Sequence, residues 1–221
     1  MKKVFLKLSV AALALSMVSC GNQQKSSNEK TTQKEADNGS SAAKEKAFKF
    51  NQESTKIGWT AYKTTEKIGV SGNFQEISVD GLKESSQPLE VFENASFTIP
   101  VNTVFSGNQE RDMRIKKFFF GKLAETTEIK GSVKSMDAKN NKAIIELGMN
   151  EISREVPFDI VVKDNHVALE GVLDVNAFNA QAAVEALNEE CKELHAGSDG
   201  ISKLWPDVKI EISTVLKEVS L

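Results

Sequence analysis

The 221-residue sequence contains little cysteine, little histidine and no excess of basic residues. Its two cysteines are Cys20 and Cys191. Its two histidines, His166 and His195, have no serine or cysteine at a spacing typical of a nucleophile and its base. Lysine and arginine number 28 against 31 aspartates and glutamates, whereas binding to nucleic acid requires a basic surface. We therefore expect neither an enzyme nor a nucleic-acid-binding protein.

A long apolar run is also lacking, and the longest stretch extends from Val4 to Val18 after two lysines. It is shorter than the roughly 20 residues that a membrane-spanning helix needs. It ends at Ser19 and Cys20, which is the pattern of a bacterial lipoprotein signal. An ordinary secretory signal is the alternative, but it favours a smaller residue than Val18 near the cleavage site. We interpret residues 1–19 as a signal peptide and Cys20 as the lipidation site.

Residues 17–20, Met-Val-Ser-Cys, resemble a lipobox. The resemblance implies a diacylglyceryl thioether and an N-acyl chain such as palmitate on Cys20, and these chains would hold the protein at a membrane. Lipidation would leave Cys191 without a disulfide partner. Cleavage would remove three lysines and change the formal charge from −3 to −6. Because Gly21 is not the aspartate that commonly retains lipoproteins at the inner membrane, we expect a location in the cell envelope, at the outer membrane facing the periplasm.

The segment after Cys20 contains no aromatic or branched aliphatic residue up to Lys46. Such a composition cannot bury enough apolar surface to offset the entropy lost on ordering. We therefore interpret residues 20–46 as the lipidated cysteine and a disordered tether, with a typical span of about 25 to 30 Å. Residues 47–221 then form a single domain of ordinary size.

Apolar and polar residues alternate with a period of two through this domain, as Ile57, Trp59 and Ala61 illustrate. Candidate strands lie near residues 48–53, 55–63, 66–79, 90–101, 127–136, 143–149, 155–163, 166–176 and 207–217. Turn residues such as Asp80-Gly81 and Asn140-Asn141 favour hairpins. The pattern predicts an all-β antiparallel barrel or sandwich of eight or nine strands. We also predict a short helix at 111–123 and a longer helix at 179–195.

Several short motifs resemble the YceI-like family. The run Arg-Asp-Met-Arg-Ile at 111–115, the Phe-Phe-Phe at 118–120 and the strand from Thr127 to Val133 are similar to the centre of that family. Gly-Asn-Phe at 72–74 resembles its Gly-x-Phe, and residues 149–158 resemble its Leu-x-x-x-Gly-x-x-x-x-Val-x-Phe hairpin. Together these motifs extend over most of residues 48–216.

The sequence departs from the family pattern at four places. Ile152 replaces the usual hairpin glycine, and Arg114 stands where a histidine is common. The spacing before the phenylalanines is one residue shorter, and the segment at 180–199 is longer than usual. These differences concern the length and identity of a ligand more than the fold.

The resemblance implies an antiparallel eight-stranded lipocalin-like barrel that holds a polyisoprenoid chain or the tail of an isoprenoid quinone. Twelve phenylalanines against one tyrosine and two tryptophans agree with an apolar lining. The candidate ligand-binding residues are Trp59, Phe74, Phe97, Ile99, Arg111, Phe118, Phe119, Phe120, Phe158 and Phe178. The alternative for the large apolar side chains is that they fill a solid barrel, although three consecutive phenylalanines cannot all face one core from a helix.

Arg111, Asp112 and Arg114 are candidate polar groups at the entrance of the pocket that could hold a head group. Arg111 is the better candidate, whereas Asp112 fits a structural role at the start of the short helix equally well or better. We expect a lipid-anchored envelope protein that binds such a lipid for storage, transfer or protection, with no catalytic residue, metal or other cofactor. The sequence leaves dimerisation open.

Two other functions are compatible with the sequence. The first is a protein–protein interaction module with a filled barrel, whose helix at 179–195 presents Ala183, Leu187, Cys191 and Leu194 on one stripe. The second is a metal-dependent enzyme that uses Cys191 and His195, four residues apart on one helical face. Two ligands do not make a metal site, so the second is the weaker hypothesis.

Overall fold

A computed structural model describes residues 46–220 of the chain. The strands of this part are β1 (Lys46–Lys49), β2 (Lys56–Lys63), β3 (Ile68–Phe74), β4 (Ser78–Asp80), β5 (Ser96–Pro100), β6 (Val104–Phe105), β7 (Glu128–Asp137), β8 (Lys142–Met149), β9 (Ile152–Lys163), β10 (His166–Asp174), β11 (Leu204–Val215) and β12 (Lys217–Ser220). Its α-helices are α1 (Gln109–Arg114), α2 (Gln181–Glu190) and α3 (Lys192–His195). The predicted signal peptide, the lipidation site at Cys20 and the tether up to residue 45 lie outside the described residues.

Ten strands form one antiparallel sheet in the order β4-β5-β7-β8-β9-β10-β11-β2-β3-β6, which curls strongly into a half-barrel. Strands β1 and β12 pair separately. The predicted all-β antiparallel, lipocalin-like fold is confirmed. The sheet has ten strands rather than eight because β4 and β6, of three and two residues, extend its edges. Strands this short cannot show an alternating pattern in a sequence.

Three predicted strands differ from the observed ones. The one at 48–53 ends at Lys49 and gives way to a 3-10 turn at Gln52–Ser54. The first half of the one at 90–101 belongs to a 3-10 helix at Pro88–Phe92, because Pro88 favours the first turn of a helix. The one at 66–79 is divided into β3, which pairs with β2, and β4, which pairs with β5.

The two ends of the half-barrel are filled differently. Near the β9–β10 turn, Val167 and Leu216 are almost completely buried, and the Leu216 amide donates to the Asn165 carbonyl at 2.8 Å. At the opposite ends of the strands, the side chains of Met149 and Leu173 line a cavity instead. The β9–β10 end is therefore filled by packed side chains, whereas the opposite end holds the cavity beside further core residues such as Phe178 and Ala180.

The two predicted helical segments are both present, and they lie beside the cavity. Helix α1 continues through a π-helical turn at Ile115–Phe119 and a 3-10 turn at Phe120–Lys122. Helices α2 and α3 follow each other from residue 181 to 195. Among residues 46–220, no helix is both long enough and apolar enough to cross a membrane.

Candidate ligand cavity

The cavity has a volume of about 350 Å³ and lies between the inner face of the half-barrel and the helices. Known small-molecule sites measure about 300 to 1,000 Å³. Most of the lining is aliphatic or aromatic and comes from β2, β3, β10, β11, α2 and the segment after α1. A cavity of this size and polarity can hold an extended hydrocarbon chain or part of one.

Two neighbouring strands supply one wall through their alternating pattern. On β2, Trp59 and Ala61 point inward, and their register partners on β11 are Ile210 and Val208. Because side chains on a strand alternate between the two faces, partners across the ladder share a face. The apolar period of two seen in the sequence therefore forms the wall of the cavity.

Both tryptophans of the chain line the cavity. The Trp59 indole nitrogen donates to the Asn73 carbonyl at 3.3 Å, and that of Trp205 donates to the Thr64 carbonyl at 2.8 Å. The polar edge of each ring is thus satisfied by the backbone, which leaves the remaining ring surface available for apolar contact.

Helix α1 is fixed in place by its first residues. The side-chain oxygen of Asn108 accepts from the Arg111 amide at 3.0 Å and caps the helix. The buried Asp112 carboxylate accepts from the Ser106 amide at 2.8 Å and from the Ser106 hydroxyl at 2.6 Å. Asp112 therefore helps to hold α1 against the loop before it. Arg111 and Arg114 extend from the same short helix into the lining of the cavity.

The three consecutive phenylalanines divide between the cavity and the outside. Phe119 and Phe120 line the cavity and meet edge to face at a centroid distance of 5.1 Å. Phe118 has the Lys117 ammonium 4.9 Å from the centre of its ring. The π-helical turn that precedes Phe120 changes the angular spacing of these side chains, so two adjacent rings reach the same space.

Lys63, Arg111 and Arg114 are the charged residues of the described lining, which includes no aspartate or glutamate. Lys63 Nζ donates to the Leu194 carbonyl at 2.7 Å. Arg114 is 3.5 Å from the exposed Glu110 carboxylate. Within residues 46–220, the Arg111 guanidinium has neither a hydrogen bond nor an ion pair. The cavity is therefore apolar over most of its surface and cationic at the side formed by α1 and the end of β2.

Cys191 and His195 both line the cavity and are both buried. Burial raises the pKa of the Cys191 thiol, although the charge of Arg114 opposes the shift. Burial, together with the charge of Lys63, lowers the pKa of His195 to about 4. Both groups are therefore neutral at neutral pH, which differs from the thiolate–imidazolium pair of cysteine nucleophiles.

The hydrogen bonds of His195 determine which ring nitrogen carries the proton. Its Nδ1 lies 2.9 Å from the Asn188 side-chain oxygen, which also accepts from the Ser202 hydroxyl at 3.1 Å. Because that oxygen can only accept, Nδ1 donates and Nε2 is left as an acceptor. Within residues 46–220, no group of three or more histidine, cysteine, aspartate or glutamate side chains is arranged to hold a metal ion.

The predicted ligand-binding residues divide evenly between the lining and other positions. The five that line the cavity are Trp59, Phe74, Arg111, Phe119 and Phe120. The five that lie outside the described lining are Phe97, Ile99, Phe118, Phe158 and Phe178. Ile99 and Phe178 are buried in the core, at 5% and 1% exposure. These two residues therefore match the alternative interpretation, in which a large apolar side chain fills the core.

Phe97 and Phe158 lie outside the lining for a specific reason. Phe97 is the cross-strand partner of Gly131, and Phe158 is the partner of Gly171. Each ring lies over its glycine: a β-carbon on Gly171 would be 2.8 Å from Phe158 Cδ1. The absence of a side chain on the partner strand lets each ring lie against the sheet.

The sequence interpretation missed several lining residues, of which Lys63 and Trp205 are the most informative. Trp205 lies in β11, whose predicted start was residue 207. Pro206 obscures the beginning of this strand, because proline is uncommon within strands except at edges and bulges. The register of β11 against β2 is indeed irregular between Leu204 and Val208. Lys63 ends an alternating strand, and such a lysine carries no sequence signal that it borders a cavity.

Comparison with solved structures supports the assignment of the fold. A polyisoprenoid-binding domain from Saccharophagus degradans, implicated in plant cell wall breakdown, has a TM-score of 0.54 at 12% identity and covers 80% of this chain and 99% of its own. BcnA of Burkholderia cenocepacia has a TM-score of 0.51 at 16% identity and covers 77% of this chain and 99% of its own. At these identities the likeness shows the fold alone. No curated protein matches the sequence.

The sequence model of the YceI-like domain matches residues 48–216, which include all of the cavity lining. This range contains the motifs at 72–74, 111–120 and 149–158 on which the resemblance was based. With most of the chain matched and the expected fold observed, the protein belongs to the YceI-like family.

Proposed function

We propose that this protein binds the apolar chain of a polyisoprenoid or isoprenoid-quinone-like lipid in its cavity, at the cell envelope, where Cys20 anchors it. The observation that carries the proposal is the cavity of about 350 Å³ with a predominantly apolar lining. Removal of apolar surface from water contributes about 25 cal/mol per Å². A flexible hydrocarbon therefore gains affinity along its whole length, without a need for specific polar contacts.

The similarity to the Saccharophagus degradans domain supports the same class of ligand, because that domain is described as polyisoprenoid-binding. The proposed role is storage, transfer or protection of the lipid, without a covalent step. The neutral state of Cys191 and His195 at neutral pH agrees with a binding role.

The orientation of α2 bears on the alternative role as a protein interaction module. Of the stripe formed by Ala183, Leu187, Cys191 and Leu194, Ala183 is almost completely buried and the other three line the cavity, although Leu194 is also 54% exposed. Most of the apolar stripe that a partner would contact is therefore already used to cover the cavity. This arrangement favours lipid binding over docking through the helix.

The proposal can be tested by native mass spectrometry of the full chain purified from its own bacterium, followed by lipid extraction and identification. We expect a stoichiometric apolar ligand. Ala61→Phe places a ring in the cavity from the inner face of β2 and should abolish this ligand. Val172→Phe introduces the same ring at a position that is 61% exposed and should retain the ligand. Equal thermal unfolding of the two variants would show that the loss is not a folding defect.

Two results would contradict the proposal. The first is a bare chain mass for folded wild-type protein that also fails to take up added isoprenoid. The second is an Ala61→Phe variant that retains the wild-type lipid in full.

Anchoring requires its own experiment, because it concerns a different part of the chain. We expect the N-terminal peptide of the mature protein to begin at Cys20 and to carry acyl chains detectable by mass spectrometry. Cys20→Ala should move the protein from the membrane fraction to the soluble fraction or leave the signal uncleaved. An unmodified Cys20 in membrane-bound protein would refute this part of the proposal.

A further inference from the structure

We infer that the lipid held in the cavity has an acidic head group, a phosphate or a carboxylate, which Arg111, Arg114 and Lys63 bind. The inference rests on the proposed function and adds the chemical class of the ligand's polar end. It separates acidic amphiphiles from neutral ones, such as quinones and long-chain alcohols, that the apolar lining would accept equally well.

The first argument is the sign of the charges in the lining. Three of the described lining residues carry a full positive charge, and none carries a negative charge. A cation beside apolar surface that is shielded from water is unfavourable unless an opposite charge or hydrogen-bond acceptors compensate it. A bound hydrocarbon would exclude water from these groups. An acidic head group on the same ligand would supply the missing charge.

The second argument is the position of the two arginines. Arg111 and Arg114 are three residues apart on α1, so their side chains lie on neighbouring parts of the helix surface. The Asn108 cap and the hydrogen bonds from Ser106 to Asp112 hold this helix against the loop before it. The arginines are therefore carried by a fixed element, as a specific head-group site requires.

The third argument is that the cations keep hydrogen-bonding capacity. Arg111 has five N–H donors, and its guanidinium makes no hydrogen bond within the described residues. Arg114 contacts Glu110 at 3.5 Å, but Glu110 is 74% exposed, and a pair of this kind is weak. Lys63 uses one of its three donors on the Leu194 carbonyl. Enough donors remain to bind the two or three oxygens of a carboxylate or phosphate.

The fourth argument is that the groups converge. Lys63 Nζ at the end of β2 donates to the Leu194 carbonyl at 2.7 Å, and Leu194 lines the cavity together with Cys191 and Arg114. In agreement with this arrangement, the charges of Arg114 and Lys63 lower the pKa of the Cys191 thiol, whereas burial and Glu190 raise it. His195, also in this wall, is neutral at neutral pH and offers Nε2 as an acceptor. A quinone carbonyl needs one or two donors and is uncharged, so it would not compensate the positive charges of Lys63 and Arg111. An acid matches the site better.

The test compares ligands that share a tail and differ only in the head. Geranylgeranyl monophosphate is compared with geranylgeraniol, and palmitate with 1-hexadecanol, at pH 7.5. The full chain is kept in an amphipathic polymer, because detergent tails would compete for the cavity. Since both tryptophans line the cavity, their fluorescence reports occupancy directly. We expect at least one acid to bind about tenfold or more tightly than its alcohol, as charge-assisted hydrogen bonds predict.

Variants then show which residues make the protein bind the acid more tightly than the alcohol. Arg111→Gln and Arg114→Gln remove the charge but keep most of the stem, and each should reduce the acid-to-alcohol ratio while the affinity for the alcohol changes less than about twofold. Arg154→Gln is the matched control, because Arg154 is exposed on β9 and donates only to the Ser153 carbonyl among its described contacts. It should keep the wild-type ratio.

The outcomes distinguish this inference from the proposed function. Tighter binding of one acid or of both by the wild-type protein supports an acidic head group, and a reduced ratio in the two arginine variants supports its position beside α1. An unchanged ratio in both arginine variants overturns that position. Equal binding of acid and alcohol in both pairs overturns the inference and leaves apolar-chain binding intact. Failure of all four compounds to bind to ligand-depleted protein overturns the proposed function, and the inference with it.

Discussion

Trp59 of β2 lies directly across the ladder from Gly72 of β3, and its indole ring occupies the space that a β-carbon on Gly72 would need. The same relationship joins Phe97 to Gly131 and Phe158 to Gly171. At each site a glycine allows an aromatic ring to lie against the neighbouring strand. Of the three rings, that of Trp59 also lines the cavity, so this pair connects the packing of the sheet with the candidate site.

Substitution of Gly72 by alanine should therefore affect both stability and the cavity. The added methyl would lie 2.7 Å from Trp59 Cε2 and 2.6 Å from the Phe105 carbonyl oxygen. We expect a loss of about 1 to 3 kcal/mol in the free energy of unfolding, as for other overpacked sites, and a shift in tryptophan emission. Urea denaturation followed by fluorescence measures both.

Gly58→Ala is the matched control for this substitution. Gly58 lies on β2 next to Trp59, and a methyl there would be 3.6 Å from its nearest neighbour, which is ordinary van der Waals contact. Unfolding midpoints of Gly72→Ala and Gly58→Ala that agree within error would show that the Trp59–Gly72 contact does not constrain the sheet.

The strands could be predicted from the sequence because each has one face toward the interior and one toward solvent. The pattern in β8 is the clearest, since Ala143, Ile145, Leu147 and Met149 are all buried and their neighbours are not. The pattern failed at Val91, which was placed in a predicted strand at 90–101 but is buried, together with Leu89, from a 3-10 helix. Two buried residues separated by one position do not distinguish a strand from such a turn without the three-dimensional context.

Asp112 and Ser106 should be energetically coupled. The buried carboxylate accepts two hydrogen bonds from Ser106, so Asp112→Ala leaves two donors without their partner. We expect Asp112→Ala to cost about 1 to 3 kcal/mol. A double-mutant cycle with Ser106→Ala should give a coupling of about 0.5 kcal/mol or more. Additive effects would show that the role assigned to this contact in holding α1 is wrong.

Cys191 should report whether the cavity is occupied. Its thiol is buried in the lining, and its pKa is raised, so little thiolate is present at pH 7. We expect alkylation by N-ethylmaleimide to be at least about tenfold slower than in denatured protein. It should also be slower in lipid-loaded than in lipid-depleted protein. Peptide mapping by mass spectrometry locates the adduct.

One result would show that a bound ligand fills only part of the cavity. If added geranylgeraniol binds, as tryptophan fluorescence detects, but the alkylation rate of Cys191 stays the same, the ligand does not reach the part of the lining formed by the end of α2. The rate in denatured protein serves as the internal reference for the reagent.

Five of the ten residues predicted from residue type and motif line the cavity, and they make up only a small part of its lining. Large apolar residues mark both a core and a lipid cavity, and no sequence pattern distinguishes Phe74, which lines the cavity, from Phe178, which fills the core. The distinction depends on where the helices lie over the sheet. Arg111 was identifiable through its place in the Arg-Asp-Met-Arg-Ile motif, whereas Lys63 resembles any lysine at the end of a strand.

His195 should make the stability of the folded protein depend on pH in a defined window. Its folded-state pKa is lowered to about 4 from an ordinary value of 6.5, because burial and the charge of Lys63 disfavour the protonated ring. Between these two values the unfolded chain binds a proton that the folded chain does not. Stability is therefore greatest with respect to this group above pH 6.5 and falls as the pH drops toward 4. With allowance for partial solvent screening, the loss is on the order of 1 to 2 kcal/mol.

His195→Gln isolates this contribution, because glutamine does not titrate and can still donate to Asn188. We expect the variant to be less stable than the wild type at pH 7.5 and to lose less stability between pH 6.5 and 4.5, as measured by urea unfolding. Glu66 has a pKa lowered to about 2, mainly by the hydrogen bond from Ser198, but its effect is common to both proteins and cancels in the difference. Parallel stability curves for the two proteins would show that the imidazole is not held neutral in the cavity wall.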